Sequence, residues 1–155
     1  MPTAWRIVKP SRVGDAFSGE GARLYGGRWN SVGVPMVYAA ESKALAALEI
    51  LVHVDVGEIM NDYLCVPVYF DARLMKRVDP RSLPDNWRAP STSSSTRSLG
   101  DAWTADGLSV VLEAPSVIVP GESNYLINPR HPNFGKLKID PPEPFEFDSR
   151  LLRRP

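Results

Sequence analysis

GGRWNS, at residues 26–31, is the most informative stretch of this chain. An apolar, strand-like segment, VYAA, follows at residues 37–40, and Glu49 lies within the apolar run over 44–53. An arginine, a tyrosine and a glutamate are therefore close in sequence while each occupies a different local element. Such a trio can bind an anion, cover a flat ring and stabilise a developing cation.

Composition indicates one globular domain over residues 1–155, with a core of about 4–151. The chain has 155 residues, of which 43% are hydrophobic, enough for one substantial core but short for two typical domains. Its 18 basic and 18 acidic residues cancel, so no general field favours nucleic acid or an anionic membrane. Any bound anion must be held by a few local arginines.

Cysteine content and the apolar pattern predict a cytoplasmic protein. The single Cys65 cannot form an internal disulfide, and the N-terminal residues lack the apolar segment of a signal peptide. No apolar run approaches the length of a membrane span.

Local patterns in the first half predict three strands and one helix. The strands are expected at residues 4–8, at 36–40 and at 62–70, where Pro67 indicates an edge or a bulge. The helix is expected from residue 43 to about 54, with Ser42 as its N-cap and one broad apolar face made by Ala44, Leu45, Leu48, Leu51 and Val52. Residues 11–33, rich in glycine, are predicted to form a long structured loop.

The second half is more interrupted. Residues 80–90 are expected to be irregular, and 91–97 has the composition of a flexible linker, although a helix over 96–105 fits better. We expect a strand region over 109–119 broken at Pro115, a turn with short helix potential at 121–129, and a final strand or hairpin over 136–147. Strands and helices alternate without regular spacing, which predicts an α+β (mixed α/β) fold rather than a doubly wound sheet.

Several common chemistries lack their residues. Two histidines and one cysteine are too few for a typical zinc site unless carboxylates complete it. The glycine-rich stretch has no third glycine of a dinucleotide fingerprint, there is no P-loop, and residues 121–125 lack the closing glycine of a nucleophile elbow.

The candidate residues each have a functional and a structural interpretation. Arg28 combines a planar bidentate donor with neighbouring glycines, which suits phosphate recognition, but a surface ion pair would also explain it. Tyr38 suits either stacking on a heterocycle or core packing. Glu49 lies in a helix that is apolar almost all round, so it is expected to have a task or an ion-pair partner such as Arg28.

Serine and asparagine side chains in the second half are ambiguous in the same way. Ser116 follows Pro115 where a strand is interrupted, and its hydroxyl could face a cleft or cap the backbone. Asn124 could contact a ligand or form a turn.

The order and spacing of short motifs along nearly the whole chain resemble one family, the RES domain, the toxin half of RES-Xre toxin-antitoxin pairs. The motifs are WRI at 5–7, GGRWN at 26–30, VYA at 37–39, LEILVH at 48–53, GDAW at 100–103, PS at 115–116, NYLINP at 124–129 with HP at 131–132, and FDSRL at 147–151. Two departures, Val32 and Ala114, do not involve a proposed chemical group.

This resemblance implies an ADP-ribosyltransferase-like split β-structure with flanking helices and a cleft for NAD. It implies that NAD is a substrate, cleaved between nicotinamide and ribose by hydrolysis, phosphorolysis or ADP-ribosyl transfer, with no prosthetic group and no metal. The active-site set carried over is Arg28, Tyr38, Glu49 and Ser116, with Arg6 as a weaker candidate. Tyr25, Gly26, Gly27 and Asn124 are expected to join Arg28 and Tyr38 in contacting the nucleotide.

The resemblance also implies a partner, an Xre-type antitoxin that occludes the cleft, with no direct nucleic-acid or membrane contact by this chain. It further implies self-association, so a homodimer within a larger complex is expected. Two other hypotheses remain open from the residues. One is a hydrolase in which Ser116 or Ser123 is activated by His53 or His131, and the other is a non-catalytic module that binds a nucleotide or a protein.

Overall fold

The computed structural model describes residues 1–89 and 94–152. Within them, three α-helices and six short 3-10 helices accompany eight strands. The strands are β1 Thr3–Val8, β2 Val37–Ala40, β3 Tyr63–Tyr69, β4 Met75–Arg77, β5 Val111–Pro115, β6 Ser123–Ile127, β7 Lys138–Ile139 and β8 Glu143–Phe145, and the α-helices are α1 Glu20–Tyr25, α2 Lys43–His53 and α3 Ser94–Asp106.

All eight strands belong to one sheet in the order β4-β5-β6-β2-β1-β3-β7, and β8 pairs with another part of β3. The pairings are antiparallel except that between β4 and β5. Helices and strands mix along the described residues without a repeating βαβ unit there, so the predicted α+β (mixed α/β) class is confirmed.

The sheet is nearly divided between β1 and β2. These strands share a single register pair, Trp5 with Ala40, whereas β1 pairs with β3 along its whole length. The Arg6 side chain reaches across this gap and donates to the backbone carbonyl of Tyr38 at 2.8 Å. This near-separation is the split expected of the fold, and it opens space between the two strands.

Three apolar clusters account for most of the core. One lies on the face of the sheet that carries Val37, Ala39 and Ile127. On the other face, α2 covers one half of the sheet through Leu45 and Ala46, and α3 covers the other half through Trp103. Because strand side chains alternate between faces, Tyr38 and Ala40 lie on the helix-covered face of β2.

Several predicted elements are confirmed. The strands expected at residues 4–8, 36–40 and 62–70 are β1, β2 and β3, and the expected helix is α2, which begins after Ser42. The Ser42 side chain accepts a hydrogen bond from the backbone N–H of Leu45 at 3.0 Å, as an N-cap should. The helix expected at 96–105 is α3, and the part of the proposed linker at 91–93 lies outside the described residues.

Other predictions were wrong for physical reasons. Residues 11–33 include the helix α1, delimited by Gly19 and Gly26, both with positive φ. Residues 121–129 contain the buried strand β6 rather than a turn with helical character, because pairing with β2 and β5 on both sides overrides the local preference of asparagine.

Two further corrections concern side-chain environments. Pro67 is not at a sheet edge, because its carbonyl accepts a hydrogen bond from the Asp140 N–H. Proline has no backbone N–H to donate, and the side of β3 on which that N–H would lie faces the interruption between β7 and β8. The apolar face of α2 is only partly covered, since Leu48 and Val52 are 39% and 62% exposed. No helix in the described ranges has both the length and the apolar character needed to cross a membrane.

Gly100 of α3 should be intolerant of a side chain. A Cβ at this position would lie 1.7 Å from the carbonyl oxygen of Trp29, and backbone atoms cannot move aside cheaply. We expect Gly100→Ala to lower the free energy of unfolding by at least about 2 kcal/mol, measured by urea denaturation. Gly57→Ala, where an added Cβ meets nothing within 4 Å, is the control and should change little. Equal stability of the two variants would contradict this packing.

Candidate active site

A cleft of about 740 Å³ opens beside the gap between β1 and β2. Its volume lies in the range typical of small-molecule sites. The walls come from β1, β2, β6, α1 with the loop after it, α2, and the segment after β5. The lining residues are Trp5, Arg6, Ile7, Gly21, Ala22, Gly26, Gly27, Arg28, Trp29, Tyr38, Ala39, Ala40, Ala46, Glu49, Ile50, Val52, His53, Val117, Ile118 and Asn124.

The turn at residues 26–31 is held by the fully buried side chain of Asn30. Its Nδ2 donates to the carbonyls of Ala22 at 2.8 Å and Val34 at 3.0 Å, and its Oδ1 accepts from the Tyr38 hydroxyl at 2.6 Å. One amide therefore ties the turn to α1, to the following loop and to β2. Asn30 belongs to the GGRWNS stretch, but nothing in the sequence pattern indicated this role for it.

The two glycines of the turn have different functions. Gly26 has φ 72 and ψ 175, a positive-φ extended conformation that essentially only glycine adopts. At Gly27 a Cβ would lie 2.7 Å from the Tyr38 hydroxyl oxygen and 2.9 Å from Asn30 Oδ1, so this position must lack a side chain. Both glycines line the cleft.

Tyr38 lies in the cleft wall with its hydroxyl hydrogen bonded to the turn. The hydroxyl donates to Asn30 and accepts from the backbone N–H of Trp29 at 3.1 Å. Burial raises the pKa of this phenol well above its usual value, partly offset by the bond from Trp29. Tyr38 is therefore neutral at physiological pH, and what it offers a ligand is its ring.

Arg28 lies on the turn with its guanidinium directed to the segment 84–89. Its two terminal nitrogens donate to the carbonyls of Trp87 and Ala89, each at 2.9 Å. Arg88, from the same segment, donates at 3.0 Å to the carbonyl of Val117, which also lines the cleft. Because a guanidinium carries five N–H groups, three remain beyond those two bonds. Burial lowers the pKa of Arg28, opposed by the charge of Glu49 and by Tyr38.

Glu49 projects from α2 as a half-buried carboxylate. Its Oε1 accepts a hydrogen bond from Asn124 Nδ2 at 3.1 Å. Desolvation raises its pKa, and the bond from Asn124 and the charges of His53 and Arg28 oppose that rise. Among the described residues, Glu49 has no basic group within ion-pair distance, so the expected alternative of a salt bridge to Arg28 is not formed.

Ser116 is placed apart from this group. It is 2% exposed, and its Oγ accepts from the backbone N–H groups of Ile118 at 3.1 Å and Val119 at 3.0 Å. The side chain thus caps the turn after β5, the structural interpretation open from the sequence, while its neighbours Val117 and Ile118 line the cleft.

The other predicted contact residues differ in position. Asn124 is in the cleft wall, hydrogen bonded to Glu49 and to the Ala39 carbonyl. Tyr25, 84% exposed, lines a second, adjoining cavity of about 340 Å³ rather than the cleft itself. Arg6 borders both cavities, and its Nε donates to the carbonyl of Ala16 at 2.6 Å. Burial lowers the pKa of Arg6 to about 10, with Asp15 opposing.

The serine-nucleophile hypothesis finds no matching geometry in the described part of the chain. His131 is 9% exposed; its Nε2 contacts the Gly107 carbonyl at 2.7 Å and its Nδ1 accepts from the Asn133 N–H. The Ser123 hydroxyl donates to Glu113 at 2.9 Å. Neither Ser116 nor Ser123 is hydrogen bonded to a histidine among these residues. The same ranges hold no cluster of three His, Cys, Asp or Glu side chains suited to a metal.

Two contacts outside the predicted set also build the site. Asp101 of α3 accepts from the Ser31 N–H at 2.9 Å, and the ring of Trp87 lies 6.4 Å from that of Trp29. The GDAW motif was the sequence signal for Asp101, whereas nothing in the pattern indicated that Trp87 would meet Trp29.

Comparisons with known proteins agree on one family. A family model described as the RES domain matches residues 3–148. The chain is 38% identical over 154 residues to "Toxin Res" of Photorhabdus laumondii, covering 96% of each protein. It is 39% identical over 156 residues to "Prs ADP-ribosylating toxin" of a Sphingobium species, covering 97% of this chain and 96% of that one.

A solved structure has a similar fold. It is the crystal structure of the MbcT-MbcA toxin-antitoxin complex of M. tuberculosis, matched with a TM-score of 0.77 over 94% of this chain and 84% of that chain. Sequence identity is 19%, so this likeness concerns the fold alone.

Tyr38→Phe should destabilise the protein, because it leaves Asn30 Oδ1 and the Trp29 N–H without their partner in a buried turn. We expect a loss of roughly 1–3 kcal/mol in the free energy of unfolding, measured by urea denaturation. Tyr25→Phe removes an equivalent hydroxyl from a side chain that is 84% exposed and should be neutral. A stable Tyr38→Phe variant would show that the hydroxyl does not support the turn.

Glu49→Gln should stabilise the protein near neutral pH. Burial raises the folded-state pKa of Glu49 above its ordinary value of 4.5, so folding favours the protonated carboxyl. The contribution of this group to stability is therefore fully present below the ordinary pKa and is lost as pH rises through the folded-state pKa. The gain in the variant should therefore appear as pH increases and vanish in acid, measured by urea denaturation across that range. A loss of stability at neutral pH would instead identify Glu49 as a structural ion-pair member.

Proposed function

The chain belongs to the RES domain family, and on that premise we propose that it is the toxin of a toxin-antitoxin pair. We further propose that it consumes NAD by breaking the bond between nicotinamide and ribose. Relatives named Toxin Res support the first part. A relative named as an ADP-ribosylating toxin supports the second, since ADP-ribosylation uses NAD as the donor. The family expected from the sequence is thereby confirmed.

The observation that carries the proposal is the position of Glu49. A half-buried carboxylate without an ion-pair partner in the described ranges lies in the same cleft as Arg28 and Tyr38. Buried charges are normally paired, so a carboxylate kept in this state suits a site where positive charge develops during a reaction.

Cleavage of NAD produces that kind of charge. When the C1′–N bond breaks, its electron pair goes to the nicotinamide nitrogen, which becomes neutral, and the ribose becomes oxocarbenium-like. Glu49 attracts this cation more strongly than the ground state, which lowers the barrier. An acceptor then adds at C1′ and loses a proton. Water, phosphate and a protein side chain all satisfy this step.

The remaining cleft residues bind and orient the dinucleotide. Arg28 contacts the pyrophosphate through the N–H groups beyond its two loop contacts, with Arg6 as a second cation in the wall. Gly26 and Gly27 allow close approach of the backbone, and the ring of Tyr38 stacks on the nicotinamide or restricts the ribose.

Ser116 and Tyr25 have less direct roles in this proposal. Ser116 maintains the turn that supports Val117 and Ile118 in the cleft wall. Tyr25 contacts the nucleotide only where it extends toward the adjoining cavity. No metal takes part, because nicotinamide leaves as a neutral molecule.

A cytoplasmic enzyme that depletes NAD requires an inhibitor in its own cell. We propose an Xre-type antitoxin that occludes the cleft, presenting a carboxylate or a chain terminus to Arg28. In this proposal the toxin acts as one domain, associates with copies of itself within the complex, and leaves DNA contacts to the antitoxin, consistent with its net charge of zero.

The purified chain, freed of any partner, should release nicotinamide from NAD at a rate unchanged by EDTA. Products separated by chromatography after incubation with and without phosphate will identify the acceptor. Strict dependence on a divalent ion would contradict the metal-free mechanism. Binding of NAD by a folded, monodisperse protein without turnover would favour the non-catalytic module.

Substitutions at Glu49 and at Arg28 should affect different kinetic constants. We expect Glu49→Gln to lower kcat by roughly two or more orders of magnitude with little change in KM, because it removes charge stabilisation in the transition state. Arg28→Lys should chiefly raise KM, since an ammonium cannot form a bidentate contact.

Matched changes outside the cleft serve as controls. Glu58→Gln and Arg73→Lys alter residues that form surface ion pairs and should leave both constants near those of the unaltered protein. Normal turnover by Glu49→Gln would remove the central element of the proposed mechanism.

A further inference from the structure

Asn124 connects the sheet to the carboxylate of Glu49. It lies in β6, paired with Ala40 of β2, and is 9% exposed. Its Nδ2 donates to two oxygens, the Ala39 carbonyl at 3.2 Å and Glu49 Oε1 at 3.1 Å. A single amide nitrogen thus joins the backbone of β2 to a side chain from α2.

The chemistry of the two acceptors fixes the orientation of this amide. A backbone carbonyl and an ionised carboxylate can only accept, so the NH₂ group must face both, and its two hydrogens match two acceptors. The carbonyl of Ala39 belongs to β2, which pairs with β6 along its whole length, and it cannot follow a moving side chain. Asn124 therefore restrains the otherwise flexible carboxylate of Glu49 relative to the sheet.

We propose that Asn124 is the positioning residue of Glu49, holding Oε1 so that Oε2 faces the substrate, rather than a residue that contacts the nucleotide. In the described part of the chain no donor other than Asn124 is hydrogen bonded to this carboxylate. Ser116, which the family resemblance places in the active-site set, accepts hydrogen bonds from the backbone N–H groups of Ile118 and Val119 instead. The kinetic consequences rest on the proposed NAD cleavage, whereas the hydrogen bond can be tested without it.

The same contact favours the charged form of Glu49. The other ionisable groups that border the cleft are His53 on the same helix, Arg28 on the turn, Tyr38 on β2 and Arg6 on β1. Desolvation raises the pKa of Glu49, and the bond from Asn124 is the largest influence in the opposite direction. Loss of that donor should therefore make the carboxylate harder to ionise.

Two substitutions at position 124 test this positioning role, and each perturbs the site in a different way. Asn124→Asp is nearly isosteric but turns an oxygen toward two acceptors, and Asn124→Leu removes the donor without adding charge. Asn128→Asp is the matched control. Asn128 is 5% exposed, and its Oδ1 accepts from the Arg130 N–H at 3.0 Å, a role that a carboxylate retains.

The first measurement is an NMR titration of the glutamate carboxyl carbons in the absence of NAD, with the Glu49 signal assigned by its loss in Glu49→Gln. We expect the midpoint for Glu49 to move to higher pH by roughly 1 unit in Asn124→Leu and further in Asn124→Asp. Asn128→Asp should leave it in place. An unchanged Glu49 titration in a folded Asn124→Leu variant would overturn the inference, whatever the protein does with NAD.

The second measurement is steady-state kinetics of nicotinamide release across pH. We expect kcat near neutral pH to fall roughly tenfold or more with KM nearly constant, and the acid limb of the profile to move to higher pH. A rise in KM with unchanged kcat would show that Asn124 contacts NAD and would also overturn the inference. Absence of turnover by the unaltered protein would contradict the proposed function, and the titration would then decide the role of Asn124 alone.

Discussion

The hydrogen bond between the Tyr38 hydroxyl and Asn30 Oδ1, at 2.6 Å, is the contact on which the cleft depends most. Asn30 is fully buried, and its Nδ2 donates to neighbouring backbone carbonyls. Its buried Oδ1 therefore also needs a hydrogen-bond donor. That donor comes from β2, and Gly27 leaves room for it. The turn that carries Arg28 is therefore fixed to the same strand that forms the cleft wall.

Elements from the second half of the chain complete the site. Gly100 lets α3 touch the backbone of Trp29, and Asp101 binds the Ser31 N–H. Arg28 in turn holds the carbonyls of Trp87 and Ala89. A ligand that binds the Arg28 guanidinium contacts the same group that holds these two carbonyls. Ligand binding at Arg28 and the position of the segment 84–89 are therefore physically linked.

The elements whose structure is decided by local chemistry could be predicted from the sequence. The helix α2 follows from its cap and apolar residues, and a carboxylate within that apolar helix is what made Glu49 a candidate site residue. Strand β6 and the role of Asn30 escaped prediction, because both depend on partners distant in the sequence. Ser116 shows the same limit, since only the folded backbone reveals that its hydroxyl caps a turn.

The most direct test of the proposed mechanism is a crystal structure of Glu49→Gln with NAD, because this variant should bind the dinucleotide without consuming it. We predict that the nicotinamide ribose lies within hydrogen-bond distance of residue 49, about 3 Å, with the pyrophosphate on Arg28. NAD bound elsewhere, or with its nicotinamide ribose remote from residue 49, would contradict the proposed mechanism.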